Sequence, residues 1–345
     1  MKNNYDVIII CFTDPKFDAR TINLANTLQK YNRNIALVTP DYGTKPSYID
    51  NSSYFPIKVN LTIRVRKSQK EFTKGIKKLK LVAKYVHAAD FYSLSSAKSI
   101  KMRSGAKLTY DSREIYSQLN SLRDRPYAKK MLEFREKYLV TYVDRIIVTA
   151  KEDEVYLKKH FIHNIPYSVI KNLPSNREKI TSSKLRDKFN IPADNLVLLY
   201  QGWVLEGRGI EKATVAMKDV KNVTLVVIGN GEYLTTLKHK VSESALEDKV
   251  IFTGLIPYDE MYEYTASADV GLVLFENTSI SYQNALPNKL FEFIQARLPI
   301  ISTNQKTITE VVETNNIGLV LQELSITNLT DAIEKMKSEK TRLEY

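Results

Sequence analysis

Short runs rich in Val, Ile and Leu punctuate the second half of the chain at residues 195–201, 223–228, 249–252, 269–274, 298–302 and 318–321. Between them lie stretches at 208–218, 231–244, 258–267, 286–297 and 306–315, each long enough for a crossover helix. Strand followed by helix, repeated, predicts a parallel sheet covered on both faces. The first half shows the same rhythm, with strands predicted at 6–12, 34–39, 85–88, 106–110 and 145–149 and helices at 18–31, 68–84, 92–103 and 126–140. A cluster of turn formers, Asn172-Leu173-Pro174-Ser175-Asn176, separates the halves, followed by a short helix at 183–189 and the turn Ile191-Pro192-Ala193-Asp194. The pattern therefore predicts an α/β fold class with two doubly wound Rossmann-like domains. The first is expected at 1–173, a linker at 174–194 and the second at 195–325, with a C-terminal helix at 326–345 able to return to the first domain. Open sheets of this type bind ligands outside the carboxyl ends of their strands, so two such domains facing across a cleft would hold the site there.

Composition narrows the class. The chain has 345 residues, 43% hydrophobic and 26% charged, which suits two ordinary globular domains. A lone cysteine, Cys11, and four histidines exclude an internal disulfide framework and a Cys/His zinc cluster. Residues 7–12 form an apolar run too short for a signal peptide or a membrane span, so a cytoplasmic protein is expected. Charge is uneven: the net +12 arises from +17 over residues 1–180 and −5 over the remainder.

Four segments could carry chemistry. In Ala285-Leu286-Pro287-Asn288-Lys289-Leu290, a proline in the first turn and a cation two residues on make an anion-binding helix start, where free N–H groups and the helix dipole favour phosphate. Glu292, one turn deeper than Asn288, could accept hydrogen bonds from a ribose diol. The loop Gly202-Trp203-Val204-Leu205-Glu206-Gly207-Arg208-Gly209 allows close backbone approach, and Arg208 can fork onto phosphate oxygens, although the loop lacks a Walker Lys-Ser/Thr. Gly229-Asn230-Gly231 lacks the third glycine of a dinucleotide fingerprint and reads first as a tight strand-to-helix turn. Gly254 and Leu255 end another strand, where backbone groups could read a nucleobase edge.

With these blocks in order, the second half resembles the nucleotide-sugar domain of glycosyltransferase family 4, retaining enzymes of GT-B fold. The matching blocks are Tyr200-Gln201-Gly202 with Arg208-Gly209, Val227 to Gly231, Phe252-Thr253-Gly254, Ala268 to Leu272, Leu286 to Glu292, Leu298-Pro299-Ile300 and Glu310 before Gly318. The first half resembles the family's acceptor domain through Asp18-Ala19-Arg20, His87-Ala88-Ala89-Asp90, Tyr110-Asp111-Ser112-Arg113-Glu114 and Asn172-Leu173-Pro174. The resemblance implies that Arg208 and Lys289 hold the donor diphosphate and Glu292 the ribose, with Gly254 near the base and Gly229 and Gly231 beside the nucleotide. Gly202, Leu255, Pro287, Asn288 and Leu290 complete the expected nucleotide-sugar site. Members often carry two Glu with seven residues between them, and here the pair is Asn284 and Glu292. An arginine common after the first glycine is Trp203, and the acceptor-domain histidine of many members is matched by Arg113. The catalytic candidates are thus Arg208, Lys289, Asn284 and Arg113, and the acceptor-side candidates Asp18, Arg20, Asp90, Asp111 and Glu114, each also explicable as a cap or salt bridge.

The implied activity is transfer, with retention, of a hexosyl or N-acetylhexosaminyl group from a nucleotide-sugar donor, a UDP-sugar being favoured. The acceptor would be a glycan or a polyprenyl-linked lipid, as in bacterial surface polysaccharide synthesis. Departing diphosphate is stabilised by cations without an enzyme nucleophile, and no metal or other cofactor is expected, since no Asp-x-Asp cluster is present. The alternative is a non-catalytic scaffold, or a basic protein binding membrane or nucleic acid. Residues 64–107 carry +11, with Phe72, Ile76, Leu79, Val82 and Ala83 at helical spacing, and predict a basic amphipathic strip that docks on an anionic membrane surface. Nucleic acid is not expected as a partner, because Phe72 and Tyr85 read as core and strand and form no stacking platform.

Overall fold

The structure, a computed structural model, describes residues 4–345 except 44, 51–52, 63–64, 162–163 and 175. The chain divides into two compact units, Met1–Asn172 and Leu173–Tyr345. The first holds strands β1 (Asn4–Ile10), β2 (Ile35–Pro40), β3 (Tyr54–Ile57), β4 (Val82–Ala88), β5 (Lys107–Ser112), β6 (Arg145–Val148) and β7 (Tyr167–Val169). The second holds β8 (Leu196–Gln201), β9 (Val223–Ile228), β10 (Val250–Gly254), β11 (Val270–Val273), β12 (Ile300–Thr303) and β13 (Gly318–Leu321). Each set forms one parallel sheet, ordered β3-β2-β1-β4-β5-β6-β7 and β10-β9-β8-β11-β12-β13. The expected pair of doubly wound Rossmann-like domains is what the chain forms.

Alternation along the central strands shows why both faces are covered. Ile8 and Ile10 enter one core with Val86, Leu108 and Tyr110, while Ile9 and Cys11 enter the opposite one with Ala25 and Leu37. In the second unit Leu198 and Tyr200 face one side and Val197 and Leu199 the other. A parallel strand buried on both faces has to read as a continuous apolar run, and these do.

Several boundaries differ from the sequence expectation. The basic helix runs Val65–Lys78 and stops short of 84, because Lys80 takes the left-handed conformation (φ 52°) and Val82 and Ala83 start β4. Edge strands β3 and β7 are short, and β3 contains Pro56, which an edge tolerates. Helix Lys151–His160 is also additional; it buries Asp153, Glu154 and Leu157, so no apolar period announces it. The stretch expected as linker is largely packed structure: helix Lys184–Phe189 and the following turn place Leu185 and Ile191 in the second unit's core. The helix expected at 326–345 is two, Ile326–Lys337 and Glu339–Leu343, and the first buries Leu329, Ala332, Ile333 and Met336 in the second unit and not the first. Ser175 of the expected linker and Arg64 of the expected basic strip lie outside the described residues.

Candidate functional site

Strand order reverses at β8/β11, the position at which open α/β sheets hold ligands outside the carboxyl ends of their strands. β8 ends on Gln201, a buried amide after five buried apolar or aromatic positions. The chain then turns at Gly202 (φ 123°) and lies against the turn after β9. Gly202 N donates to Ile228 O (2.9 Å), Val204 N to Asn230 O (2.9 Å) and Gly229 N to Gly254 O (2.9 Å). A Cβ on Gly229 would stand 1.9 Å from Gly202 O, and one on Gly231 2.2 Å from Val204 O. Backbone packing therefore accounts for both glycines without a ligand, in line with a tight turn. Gly254 (φ 76°) has open space where a side chain would be, although its carbonyl is taken by Gly229 N, and Leu255 beside it is exposed.

The loop closes at Gly209 (φ 66°), where a Cβ would meet Leu274 Cβ at 2.5 Å, so only glycine lets the chain pass the end of β11. This holds the half-buried Arg208 with its guanidinium carbon 5.7 Å from the Phe275 ring centre and 5.8 Å from that of Tyr282. Tyr200 donates its phenol to Trp203 O (2.7 Å), and burial pushes its pKa up to about 12 against the nearby Arg208 charge. Segment 275–287 is latched from below. Thr303 Oγ1 accepts from Phe275 N (2.9 Å), Gln305 Nε2 donates to Phe275 O (3.1 Å) and Asn277 Oδ1 (3.0 Å), and Thr307 Oγ1 donates to Ala285 O (2.6 Å).

Helix Asn288–Ala296 starts after Pro287, which occupies the N-cap position, and is fixed by the buried Leu290 and Phe293. Lys289, in its first turn, is 5% exposed. Its Nζ has no hydrogen-bond partner among the described residues and stands 3.7 Å from the centre of the Tyr200 ring. Burial holds the ammonium pKa well below the ordinary lysine range; the Arg208 charge lowers it further, and Glu292 opposes both. Glu292 accepts a hydrogen bond from Gln201 Nε2, and Gln201 Oε1 accepts from Thr265 Oγ1 (2.9 Å). Burial pushes the Glu292 carboxyl up, while Gln201 and Lys289 draw it back. Asn284 is half-buried at the end of helix Ile280–Gln283, its N–H bonded to Ile280 O (3.0 Å). Arg208, Lys289 and Glu292 are thus brought into one neighbourhood. Tyr200, Gln201 and Thr265 belong to it and were not foreseen; a glutamine ending an otherwise apolar strand is the signal that could have found Gln201.

The acceptor-side candidates behave differently. Arg20 grips Asp111 through two bonds, Nε to Oδ2 (2.6 Å) and Nη2 to Oδ1 (2.8 Å), and donates Nη1 to Ile170 O (2.9 Å). Arg113 Nη1 donates to Asp18 Oδ2 (2.7 Å), Nη2 to Thr21 Oγ1 (3.0 Å), and Nε lies 3.5 Å from Asp111 Oδ2. Asp18 caps helix Ala19–Lys30 through Thr21 N (3.1 Å) and also accepts from Cys11 Sγ (3.2 Å) and Thr13 Oγ1 (3.0 Å). Burial raises both carboxyls, but the guanidiniums and hydrogen bonds win, holding Asp18 at about 2 and Asp111 well below the usual range. Two carboxylates and two guanidiniums close into one network, so Arg113 is committed to Asp18 and Thr21. Asp90 stands apart as the buried cap of helix Phe91–Ser104, accepting from Ser93 N (2.6 Å) and Phe12 N (3.2 Å). Glu114 is half-buried, and its carbonyl accepts from Ser112 Oγ (3.1 Å). Among the described residues no group of three or more His, Cys, Asp or Glu is placed to hold a metal, and no helix is long and apolar enough to cross a membrane.

Residues 181–345 match the sequence model of the glycosyl transferases group 1 family. The chain is 29% identical over 124 residues to the GDP-mannose-dependent alpha-(1-6)-phosphatidylinositol monomannoside mannosyltransferase of Mycobacterium tuberculosis, covering 36% of this chain and 32% of that protein. It is 28% identical over 144 residues to the amylovoran biosynthesis glycosyltransferase AmsK of Erwinia amylovora, covering 41% and 35%. It is 29% identical over 139 residues to the alpha-monoglucosyldiacylglycerol synthase of Streptococcus pneumoniae, covering 39% and 30%. These matches span about a third of the relatives' own length. Among solved structures, sucrose-phosphate synthase from Thermosynechococcus elongatus superposes with a TM-score of 0.74 at 16% identity, over 98% of this chain and 93% of that one. Anabaena HepE in complex with UDP-glucose gives 0.73 at 13% identity, over 99% and 92%. WaaG, a glycosyltransferase involved in lipopolysaccharide biosynthesis, gives 0.69 at 15% identity, over 98% and 92%. The whole chain therefore has the fold of GT-B glycosyltransferases.

Proposed function

We propose, from a second unit that matches the glycosyl transferases group 1 family, that the chain transfers a hexosyl or N-acetylhexosaminyl group from a nucleoside-diphosphate donor to a glycan or lipid-linked acceptor. The observation that carries this reading is Lys289, a buried ammonium without a hydrogen-bond partner, beside Arg208 at a helix N-terminus. Two neighbouring cations at a helix start repel one another until an anion lies between them. A diphosphate would supply that charge, and the ribose hydroxyls are assigned in this reading to Glu292, one turn deeper.

Donor cleavage builds negative charge on the departing diphosphate. Positive groups fixed before the reaction stabilise it without reorganising, which is a large catalytic contribution. Lys289, Arg208 and the first-turn N–H groups after Pro287 fill this role, so the proposed reaction needs neither a bound metal nor an enzyme nucleophile. With the leaving group held on one face, an acceptor hydroxyl delivered to the same face gives retention. Asn284, where relatives of this type often carry a carboxylate, offers a neutral amide that can donate to a sugar hydroxyl or phosphate oxygen.

The test is calorimetry with UDP, GDP and ADP. Binding of one diphosphate, weakened at least about tenfold in Lys289→Ala, is the expected result; a UDP-sugar is the favoured donor. No binding to any of the three would overturn the reading. Asn284 also favours a second reading, a scaffold that binds donor without turnover, and release of free UDP from UDP-sugars with and without acceptor separates the two.

A further inference from the structure

The geometry points to an anionic bilayer surface as the partner of the first unit, gripped by two adjacent helices with different tasks: Pro126–Val140 inserts apolar side chains and Val65–Lys78 supplies charge. Helix Pro126–Val140 turns Glu136, Leu139 and Val140 inward. Its outward face carries Tyr127 (88% exposed), Met131 (55%), Phe134 (77%) and Tyr138 (50%), spaced four, three and four residues apart. That spacing is one helical stripe. Solvent-facing stripes ordinarily carry charged side chains, and a run of large apolar groups there marks an interaction site.

The neighbouring helix says what covers it. Arg66 Nη1 lies 3.4 Å from Met131 Sδ, and Arg135 Nη1 donates to Gln69 Oε1 (2.6 Å), so the two helices are stitched side by side. Val65–Lys78 buries Ser68, Gln69, Phe72 and Ile76 and exposes Arg66, Lys67, Lys70, Lys74, Lys77 and Lys78. Its one acid, Glu71, accepts from Asn60 N (3.0 Å). Apolar anchors flanked by lysines that form no ion pair among the described residues match a surface with acyl chains beneath anionic headgroups. A second copy would set like charge against like charge. Tyr138 fits the boundary between the two layers: its hydroxyl accepts from Lys98 Nζ (2.9 Å), which also stands 3.6 Å from the Tyr142 ring centre.

This surface is not the whole expected strip at 64–107. Lys101 pairs with Asp144 (2.5 Å), with Lys107 3.7 Å from the same carboxylate, and Arg103 donates to Leu81 O (2.7 Å), so those cations are spent within the unit. The anchor helix lies outside the strip altogether.

The experiment is co-sedimentation of the full chain with phosphatidylcholine vesicles, with and without phosphatidylglycerol, at low and high salt. The expected results are binding to the anionic vesicles, weakened roughly tenfold or more in Met131→Ser/Phe134→Ser, and a shallower salt dependence in Lys70→Glu/Lys74→Glu. All four positions are exposed, and circular dichroism checks that the variants fold. Phe134→Trp in a Trp203→Phe background should shift its emission to the blue on adding anionic vesicles, and binding of UDP reports on the donor site independently. Absence of binding, unaltered binding in Met131→Ser/Phe134→Ser or an unshifted emission would each overturn the proposal. So would dimerisation lost in Met131→Ser/Phe134→Ser, or displacement from vesicles by an oligonucleotide that binds both forms equally.

Discussion

Lys289 Nζ and the Tyr200 ring centre are 3.7 Å apart, the ammonium resting on an aromatic face with no hydrogen-bond acceptor among the described residues. A cation over a ring recovers only about 0.5–2 kcal/mol, less than burial of a charge costs. Keeping this group charged is thus costly in the apo protein, and under the proposed function a bound anion would offset that cost. Lys289→Met keeps the volume and removes the charge. It should raise the thermal midpoint near neutral pH by a few degrees while diphosphate affinity falls at least about tenfold. A lowered midpoint in differential scanning fluorimetry would argue against a costly ammonium.

Proton linkage gives a second check on the same residue. Lys289 is depressed below the ordinary lysine range when folded, chiefly by burial. Between its folded and unfolded values the unfolded chain binds the extra proton, so apo stability rises with pH across that window. A bound diphosphate raises the pKa again, so binding within the window takes up a proton. Calorimetry in buffers of different ionisation enthalpy should register that uptake in the native chain and lose it in Lys289→Met.

Gly229→Ala tests how the loops after β8 and β9 depend on each other. The added methyl would fall 1.9 Å from Gly202 O at a residue with φ 146°. Something has to move, and the loop leading to Arg208 is what it pushes. Urea unfolding should show a loss of roughly 2–4 kcal/mol, accompanied by weaker diphosphate binding. Binding left intact would separate Gly229 from the site.

Arg113 carries two readings that diverge under substitution. Against burial, its charge and hydrogen bond draw Asp18 down to about 2. Stability from that pair is present above the ordinary carboxyl value and is lost as pH falls from about 4 towards about 2. Arg113→Met should cost about 2–4 kcal/mol near neutrality by stranding Asp18 and should flatten that acid limb in denaturation curves. Arg113→Lys decides the catalytic reading: turnover lost with stability kept would restore it.

Glu136 titrates the other way. It is 1% exposed, accepts from Tyr110 OH (2.6 Å), and burial pushes its pKa up to about 7. Above its unfolded value the unfolded chain ionises first, so this carboxyl makes the fold less stable as pH rises from about 4.5 through about 7. Glu136→Gln keeps an acceptor for Tyr110 and should be more stable than the native chain near pH 8 by roughly 1–3 kcal/mol, with little difference near pH 5, as read by urea denaturation.

The central strands were legible because burial on both faces leaves runs such as Leu196–Gln201 with almost no polar interruption. Edge strand Tyr54–Ile57 was not, since one-sided pairing leaves only four residues and tolerates Pro56. The motif Pro287-Asn288-Lys289 could be placed on a helix start from residue type alone, but the ring under Lys289 comes from Tyr200, a contact across many residues that no local pattern carries. Arg20 and Asp111 were picked out as charges near strand ends, and only the fold pairs them. Helix Pro126–Val140 defeats periodicity more completely: an apolar stripe at Tyr127, Met131, Phe134 and Tyr138 reads as the core face, yet it points outward and Glu136 points in.

The pairing of β8 also bears on how the protein is made. One edge of β8 is met early, by β9 through Leu198 with Leu225, but the other waits for β11, where Leu198 meets Val270. A ribosome that has not yet delivered Val270 presents the second unit with its central strand open along one side, an invitation to pair with a neighbouring nascent chain. Starved or slowed translation through this stretch should therefore lower the yield of native protein more than the same delay after β12 has emerged.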